Sequence, residues 1–243
     1  MKRILTTLSQ KWPEYLLEIF VITIGILGAF GLNNWNDTQK EQKQEQQFLA
    51  RLSDDLSKDI QEIESSLSSV ERRKERAEYL LESVKNRSLV ESAPHYFITS
   101  IEFAGYTNKP TISNHTFEEI KSSGRLSTIS NLNIRNELAD YYDAILDRDQ
   151  YAFIGEDIQL QYINKHYGIL SPAQQINMGN FSIDEEYNLE DALPVYTRFL
   201  ENDEFIDWLP IVIQSKRRNI LLRERQLEQV HKLRKLIDNE LIK

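Results

Sequence analysis

Tyr15-Leu-Leu-Glu-Ile-Phe-Val-Ile-Thr-Ile-Gly-Ile-Leu-Gly-Ala-Phe-Gly-Leu32, followed by Asn33-Asn34-Trp35-Asn36, decides the fold of this chain. Its only charge is Glu18, and from Ile19 to Leu32 Thr23 is the only polar side chain. About 20 apolar residues cross a bilayer core, so the stretch reads as a transmembrane helix over residues 13–35. Trp12 and Tyr15 at one end and Trp35 at the other are placed as interfacial anchors. Trp12 to Trp35 spans ~35 Å at about 1.5 Å per residue, which fits the core plus part of both interfaces. A cleaved signal peptide is the competing reading, with Lys2, Arg3 and Lys11 as its basic region and Ala29-Phe30-Gly31 as its cleavage site. Glu18 inside the apolar run, and the direct continuation into helix-forming residues, argue for a retained span.

Positive charge orients the span only by a narrow margin. Lys2, Arg3 and Lys11 precede it, and Lys40, Lys43 and Arg51 follow. The α-amino group and the closeness of Lys11 favour an N-terminus in the cytoplasm. The remaining chain then lies on the opposite side, a placement compatible with its lack of cysteine.

Composition predicts an all-α protein. The 243 residues include only 8 Gly and 6 Pro and carry a net charge of −9, which disfavours general nucleic-acid binding. No Gly or Pro occurs between Leu32 and Pro94, so the span is expected to run unbroken into a long helix. Residues 1–12 are the N-terminal segment, 36–47 a polar stalk, and 48–243 a helical domain. In that domain Leu49, Leu52, Leu56, Ile60, Ile63, Leu67 and Val70 form one apolar stripe at spacings of three and four. Ile213, Ile220, Leu227, Val230, Leu233, Ile237 and Leu241 form another on a C-terminal helix starting near Asp203. Antiparallel pairing of the two would oppose the acidic run 54–64 to the basic run 216–235.

Shorter helices are expected between them, at 94–104, from Thr116 under a Thr116-x-x-Glu119 capping box, after an Asn131 cap, and at 154–167. Gly124 stands where a helix terminator belongs. The Asn131 helix should bury Leu132, Leu138, Tyr141, Tyr142 and Ile145, and residues 171–189 read as irregular.

Two motifs resemble a family of bacterial single-span membrane proteins without an assigned function. The first is Glu18-Ile19-x-x-x-x-Ile24-Gly25-Ile26-Leu27-x-Ala29-x-x-x-Asn33-Asn34-Trp35-Asn36. The second is Phe117-x-x-Ile120-x-x-Ser123-Gly124-Arg125-Leu126-x-x-Ile129, then Leu138-x-x-Tyr141-Tyr142. Leu17 stands where that family usually has Gly. The resemblance implies a membrane-anchored helical domain and carries no activity; combined with the charge argument, the expected location is the bacterial inner membrane, with the C-terminal domain periplasmic.

One face of the span gathers Glu18, Ile22, Gly25, Ala29 and Leu32 at about 100° per residue. Gly25-x-x-x-Ala29 is a small-xxx-small pair that permits close helix approach, and a carboxylate in a span marks a functional surface by default. The face reads as a contact for self-association or for a membrane protein partner, alongside the lipid bilayer itself. The alternative places Glu18 at the boundary, snorkelling to the headgroups.

No other pattern points to chemistry. His95, His115, His166 and His231 lack zinc-ligand spacing and read as surface or packing residues. The acidic residues of 184–207 match no calcium loop and read as a solvated face. The basic helix 216–235 could meet anionic lipid or nucleic acid, but its charges alternate with core positions. The Asn-x-Ser/Thr triplets at Asn36, Asn86, Asn114 and Asn180 are chance in a bacterial chain. Phosphate loops, dinucleotide fingerprints and nucleophile elbows are absent, so the expectation is a non-enzyme without cofactor or metal. The leading reading is an interaction or sensor-like module. A ligand-binding domain is second, its pocket between the 94–104, 116–146 and 154–170 helices and lined by Tyr106, Tyr141, Tyr142, Tyr162 and Tyr167. A membrane-disrupting effector is third.

Overall fold

A computed structural model describes the backbone of residues 2–150, 152–179 and 186–242, and side chains at Trp12 and from Leu16 onward except for 145–153 and 180–185. Among the described residues every regular element is helical. The longest, α1, runs from Lys2 to Ser83, about 120 Å at the helical rise. It begins before Pro13, which therefore lies inside the helix instead of at its first turn. No helix breaker interrupts it past Leu32, so the apolar segment and the long domain helix are one continuous rod. Its apolar part contains an eighteen-residue window of mean hydropathy 2.0, none of it buried against the protein.

The C-terminal helix α9, Asp203–Leu241, lies antiparallel to α1. In this register Glu78 faces Arg217 (2.9 Å), Ser66 faces Arg223 (3.2 Å) and Ser53 faces Asp238 (2.6 Å). The expected pairing of acidic 54–64 with basic 216–235 is not how this register is held. Asp55 and Asp59 turn inward to the Ser113–Thr116 segment, and Lys232 pairs with Glu137. Of the basic run, Arg217 reaches α1 at Glu78, outside the acidic stretch. Both side chains are solvated there, so the pair adds at most about 1 kcal/mol. Packing, not charge, aligns the helices.

Two apolar cores lie on this pair. The core nearer the apolar segment packs Leu49, Leu52, Leu56 and Ile63 of α1 against Val230, Leu233 and Ile237 of α9. Over them lie α4 (His115–Ser122) with Phe117 and Ile120, and α5 (Leu132–Gln150) with Leu138, Tyr141 and Tyr142. The distal core packs Ala77 and Leu80 against Phe205, Leu209 and Val212. It is closed by α2 (Arg87–Ser92), α3 (Pro94–Phe103), α6 (Ala152–His166), α7 (Pro172–Met178) and α8 (Leu189–Leu200).

Local chemistry explains the boundaries. Gly124 takes φ +70 after α4, where Arg125 N–H bonds Ile120 C=O and Gly124 N–H bonds Lys121 C=O, a Schellman closure. Asn131 caps α5 through its Oδ1. The Thr116–Glu119 box is not used: α4 starts at His115 behind Asn114, and Thr116 donates its hydroxyl to buried Asp55 at 2.6 Å. Leu132, expected inside, faces solvent at the very start of α5. The stretch expected to be irregular contains α7 and leads into α8. Each opens with a reciprocal capping box, Ser171 with Gln174 and Asn188 with Asp191.

Tyr162 fixes how α6 meets the end of α3. A Cβ placed on Gly105 would lie 2.1 Å from the Tyr162 ring, and that ring is fully buried. Gly105→Ala should therefore destabilise the folded chain by about 2–3 kcal/mol, the cost of overpacking a closed core. Thermal unfolding followed by circular dichroism in detergent should show a midpoint several degrees lower.

Candidate functional site

Two arrangements stand out from the packing: the unpacked face of the apolar segment, and a polar seam between the two cores.

Glu18, Ile22, Gly25, Ala29 and Leu32 are all exposed on α1, with Ile22 at 54% and Leu32 at 69%. Trp12 and Trp35 are likewise exposed at either end, while the Tyr15 side chain lies outside the described residues. A Cβ on Gly25 would meet nothing within 4 Å. The protein thus leaves this helix bare on every side, and whatever covers it comes from outside the fold. Thr23 donates its hydroxyl to Ile19 C=O at 2.7 Å, so this polar side chain is satisfied by its own helix, as a hydrocarbon environment requires. Beyond the segment, Asn33 donates to Asp37 at 3.1 Å and Thr38 donates to Asn34 C=O at 2.9 Å, which ties the first turns of the stalk.

The seam was not foreseen. Lys216 sits on the apolar stripe of α9, between Val212–Ile213 and Ile220, with only 1% of its side chain exposed. Its Nζ donates to Gly105 C=O at 3.1 Å and to Tyr106 C=O at 2.6 Å. Arg73 donates to the same Tyr106 carbonyl at 3.2 Å and to Asn108 Oδ1 at 3.0 Å. Arg76 donates to Thr99 and Ser100 hydroxyls at 2.9 and 3.2 Å and lies 4.6 Å over the Tyr96 ring. Three cations therefore gather around α3 and the chain leaving it, where the helix dipole and unpaired carbonyls favour positive charge. Burial pushes Lys216 down to about 7, and Arg73 adds to the shift.

Behind them Glu102 accepts a hydrogen bond from the Tyr106 hydroxyl. His166 Nε2 lies 3.5 Å from Glu102 Oε2, an electrostatic contact without hydrogen-bond geometry. Burial pushes the Glu102 carboxyl up, but His166 and Tyr106 outweigh it and hold the group below the usual carboxylate range. In the other core, burial raises Asp59 to about 6 against the opposing bonds from Ser113 N–H and the Tyr141 hydroxyl. These groups lock α3, α4 and α5 to the helix pair by polar contacts inside otherwise apolar layers.

The tyrosines expected to share one pocket are separated. Tyr162 belongs to the distal core, and Tyr141 and Tyr142 to the other. A cavity lies elsewhere: a groove of about 750 Å³ at the far end of the helix pair, between Leu81 of α1, Val84 just past its end, and Ile206, Pro210 and Ile213 of α9. Of the histidines, His95 accepts from Tyr187 N–H and His166 is buried, while His231 is exposed. Glu190 and Asp191 sit in the first turn of α8, and Asp203 and Glu204 in that of α9, where the dipole favours them. Asn180, Asp184 and Glu185 lie outside the described residues. Among the described residues no group of three His, Asp or Glu side chains could hold a metal ion.

The described residues thus define a class: a two-core helical bundle built on a single helix whose N-terminal part is apolar enough to cross a membrane. The chain belongs to a family of unknown function (DUF6090), whose model covers residues 18–189. Both motifs quoted above lie inside that span. No curated protein and no solved structure matches the chain.

Lys216 makes the seam measurable. Its folded value, about 7, is below the ordinary 10.5, so between those limits the unfolded chain binds more protons and stability rises with pH. This contribution is fully present above pH 10.5 and is lost as pH falls through 7. Lys216→Met should flatten the rise, removing about 2–3 kcal/mol of the difference between pH 7 and 9.5. Urea titrations at the two pH values read this directly.

Proposed function

We propose that the protein is a membrane-anchored, non-enzymatic interaction or sensor-like module, acting through the exposed face of its apolar segment on a second copy or another membrane protein. One observation carries the reading: α1 is a single helix that is bare over its apolar part and forms the spine of the bundle at its other end. Trp35 to Ser83 is about 72 Å of unbroken helix at the helical rise. A rotation or tilt imposed on Glu18, Ile22, Gly25, Ala29 and Leu32 is therefore carried into the domain without an intervening hinge. Gly25 and Ala29 supply close approach, and Glu18 supplies a polar contact at the edge of the span. The proposed setting is a bacterial inner membrane, with the N-terminus in the cytoplasm and the bundle in the periplasm.

Gly25→Leu with Ala29→Leu should reduce association of the full chain in a membrane two-hybrid assay by about tenfold or more, since two bulky side chains forbid the close crossing. Undiminished association would reject the face. A reporter fused after Lys243 tests the topology, with periplasmic activity expected.

The distal groove supports a second reading, a small-ligand site. Its floor is apolar and its rim holds Glu78, Glu82, Lys85 and Arg217. Native mass spectrometry of the purified chain would reveal a retained molecule if this reading holds.

A further inference from the structure

The end of the bundle nearest the apolar segment has features that a membrane surface would explain. It is formed by the end of α4, the connection 123–131, the start of α5 and the last residues of α9. Asn131 Nδ2 bonds Glu240 Oε2 at 2.7 Å, which holds the two pieces together. Ser130 bonds Glu45 through both its N–H (2.6 Å) and its hydroxyl (2.8 Å), which fixes the connection to α1. Two large apolar side chains are left in the open there, Leu132 at 60% and Ile242 at 84% exposure. Lys121, in the last turn of α4, and Arg125, just beyond it, are exposed. Of the nearby acids, Glu119 is neutralised by Arg51, Glu45 and Glu240 are tied to Ser130 and Asn131, and Glu118 and Glu41 are exposed.

The tether is short. From Trp35 to Glu45 the helix advances about 15 Å, and headgroups fill roughly 5–8 Å beyond the hydrocarbon. The remaining gap of roughly 7–10 Å is close to the Debye length of about 8 Å at physiological salt. Spans tilt by about 20° on average, and the bundle lies beside α1, so tilting towards it lowers this end further. We propose that this end of the bundle rests on the headgroup layer of the bilayer that holds the span. Lys121 and Arg125 meet lipid phosphates, while Leu132 and Ile242 enter the interface. Docking selects one direction of tilt and so presents one face of the apolar segment to a partner. The inference rests on the membrane-anchored reading above.

The chain has no cysteine, so single labels report single positions. Leu27→Cys, Leu132→Cys and Arg87→Cys carry an environment-sensitive fluorophore, and each full-length protein is placed in nanodiscs of phosphatidylglycerol and phosphatidylcholine. Nitroxides are carried on the lipid headgroups or on the acyl chains. Headgroup nitroxides should quench the label at 132 and spare that at 87, which sits at the distal end. Equal quenching at 132 and 87 would overturn the proposal. Acyl-chain nitroxides should quench the label at 27; if they do not, the membrane reading itself fails, and this inference with it. Lys121→Glu with Arg125→Glu, folded as judged by unchanged helicity, should weaken docking by about 30-fold or more on anionic discs, as expected from losing about two surface cations. Unchanged quenching at 132 in that variant would overturn the phosphate contact.

Discussion

The antiparallel contact between α1 and α9 is what the remaining helices depend on. Neither partner can bury its apolar stripe alone: α1 offers Leu49 to Leu80 along one side, and α9 offers Phe205 to Ile237. Joined, they make a spine with two shallow apolar beds. The short helices roof these beds, and isolated helices of their length are marginal in water. Their order comes from the spine, as α4 shows, since Phe117 and Ile120 are buried in one core with Leu52 and Leu56 of α1 and Leu233 of α9.

The seam between the beds gives the spine a different kind of specificity. Apolar stripes tolerate sliding by a turn, because Leu, Ile and Val substitute for one another in a hole. Lys216 does not slide. A displacement of one turn would remove its Nζ from the carbonyls of Gly105 and Tyr106 and leave an ammonium group in an apolar layer, at a cost of several kcal/mol. Arg73, on the opposite helix, bonds the same Tyr106 carbonyl. The two long helices are thus registered through a third element, the chain leaving α3, rather than through charges facing each other.

The long elements were legible because their signals are repetitive. A stretch from Asn33 to Ala93 with neither Gly nor Pro, and apolar residues at intervals of three and four, leaves little but a long helix. Asn131 and Gly124 acted where their chemistry placed them. The capping boxes at Ser171–Gln174 and Asn188–Asp191 were also written in the sequence; α7 is too short to show a period, whereas α8 buries Ala192, Val195, Tyr196 and Phe199 on one face, a helical signal the sequence did carry. The Thr116–Glu119 box misled because tertiary contacts took both side chains, Thr116 to Asp55 and Glu119 to Arg51. Lys216 could not be read at all. A lysine on an apolar stripe looks like an interruption until the carbonyls that accept it, 111 residues away for Gly105, are brought alongside.

The distance in sequence between the two halves of the spine has a consequence for synthesis. Ser53 waits for Asp238, which is 185 residues later. Translation proceeds at about 5–20 residues per second, so the stripe of α1 stays without its mate for roughly 10–40 s after it emerges. During that time a row of leucines and isoleucines is open to water or to another nascent copy. The helix that shelters α1 is made long after it, so a nascent chain stopped before α9 would expose the whole apolar side of α1. Synthesis that stops short of α9 would therefore release the chain in a form that a protease can tell from the finished fold.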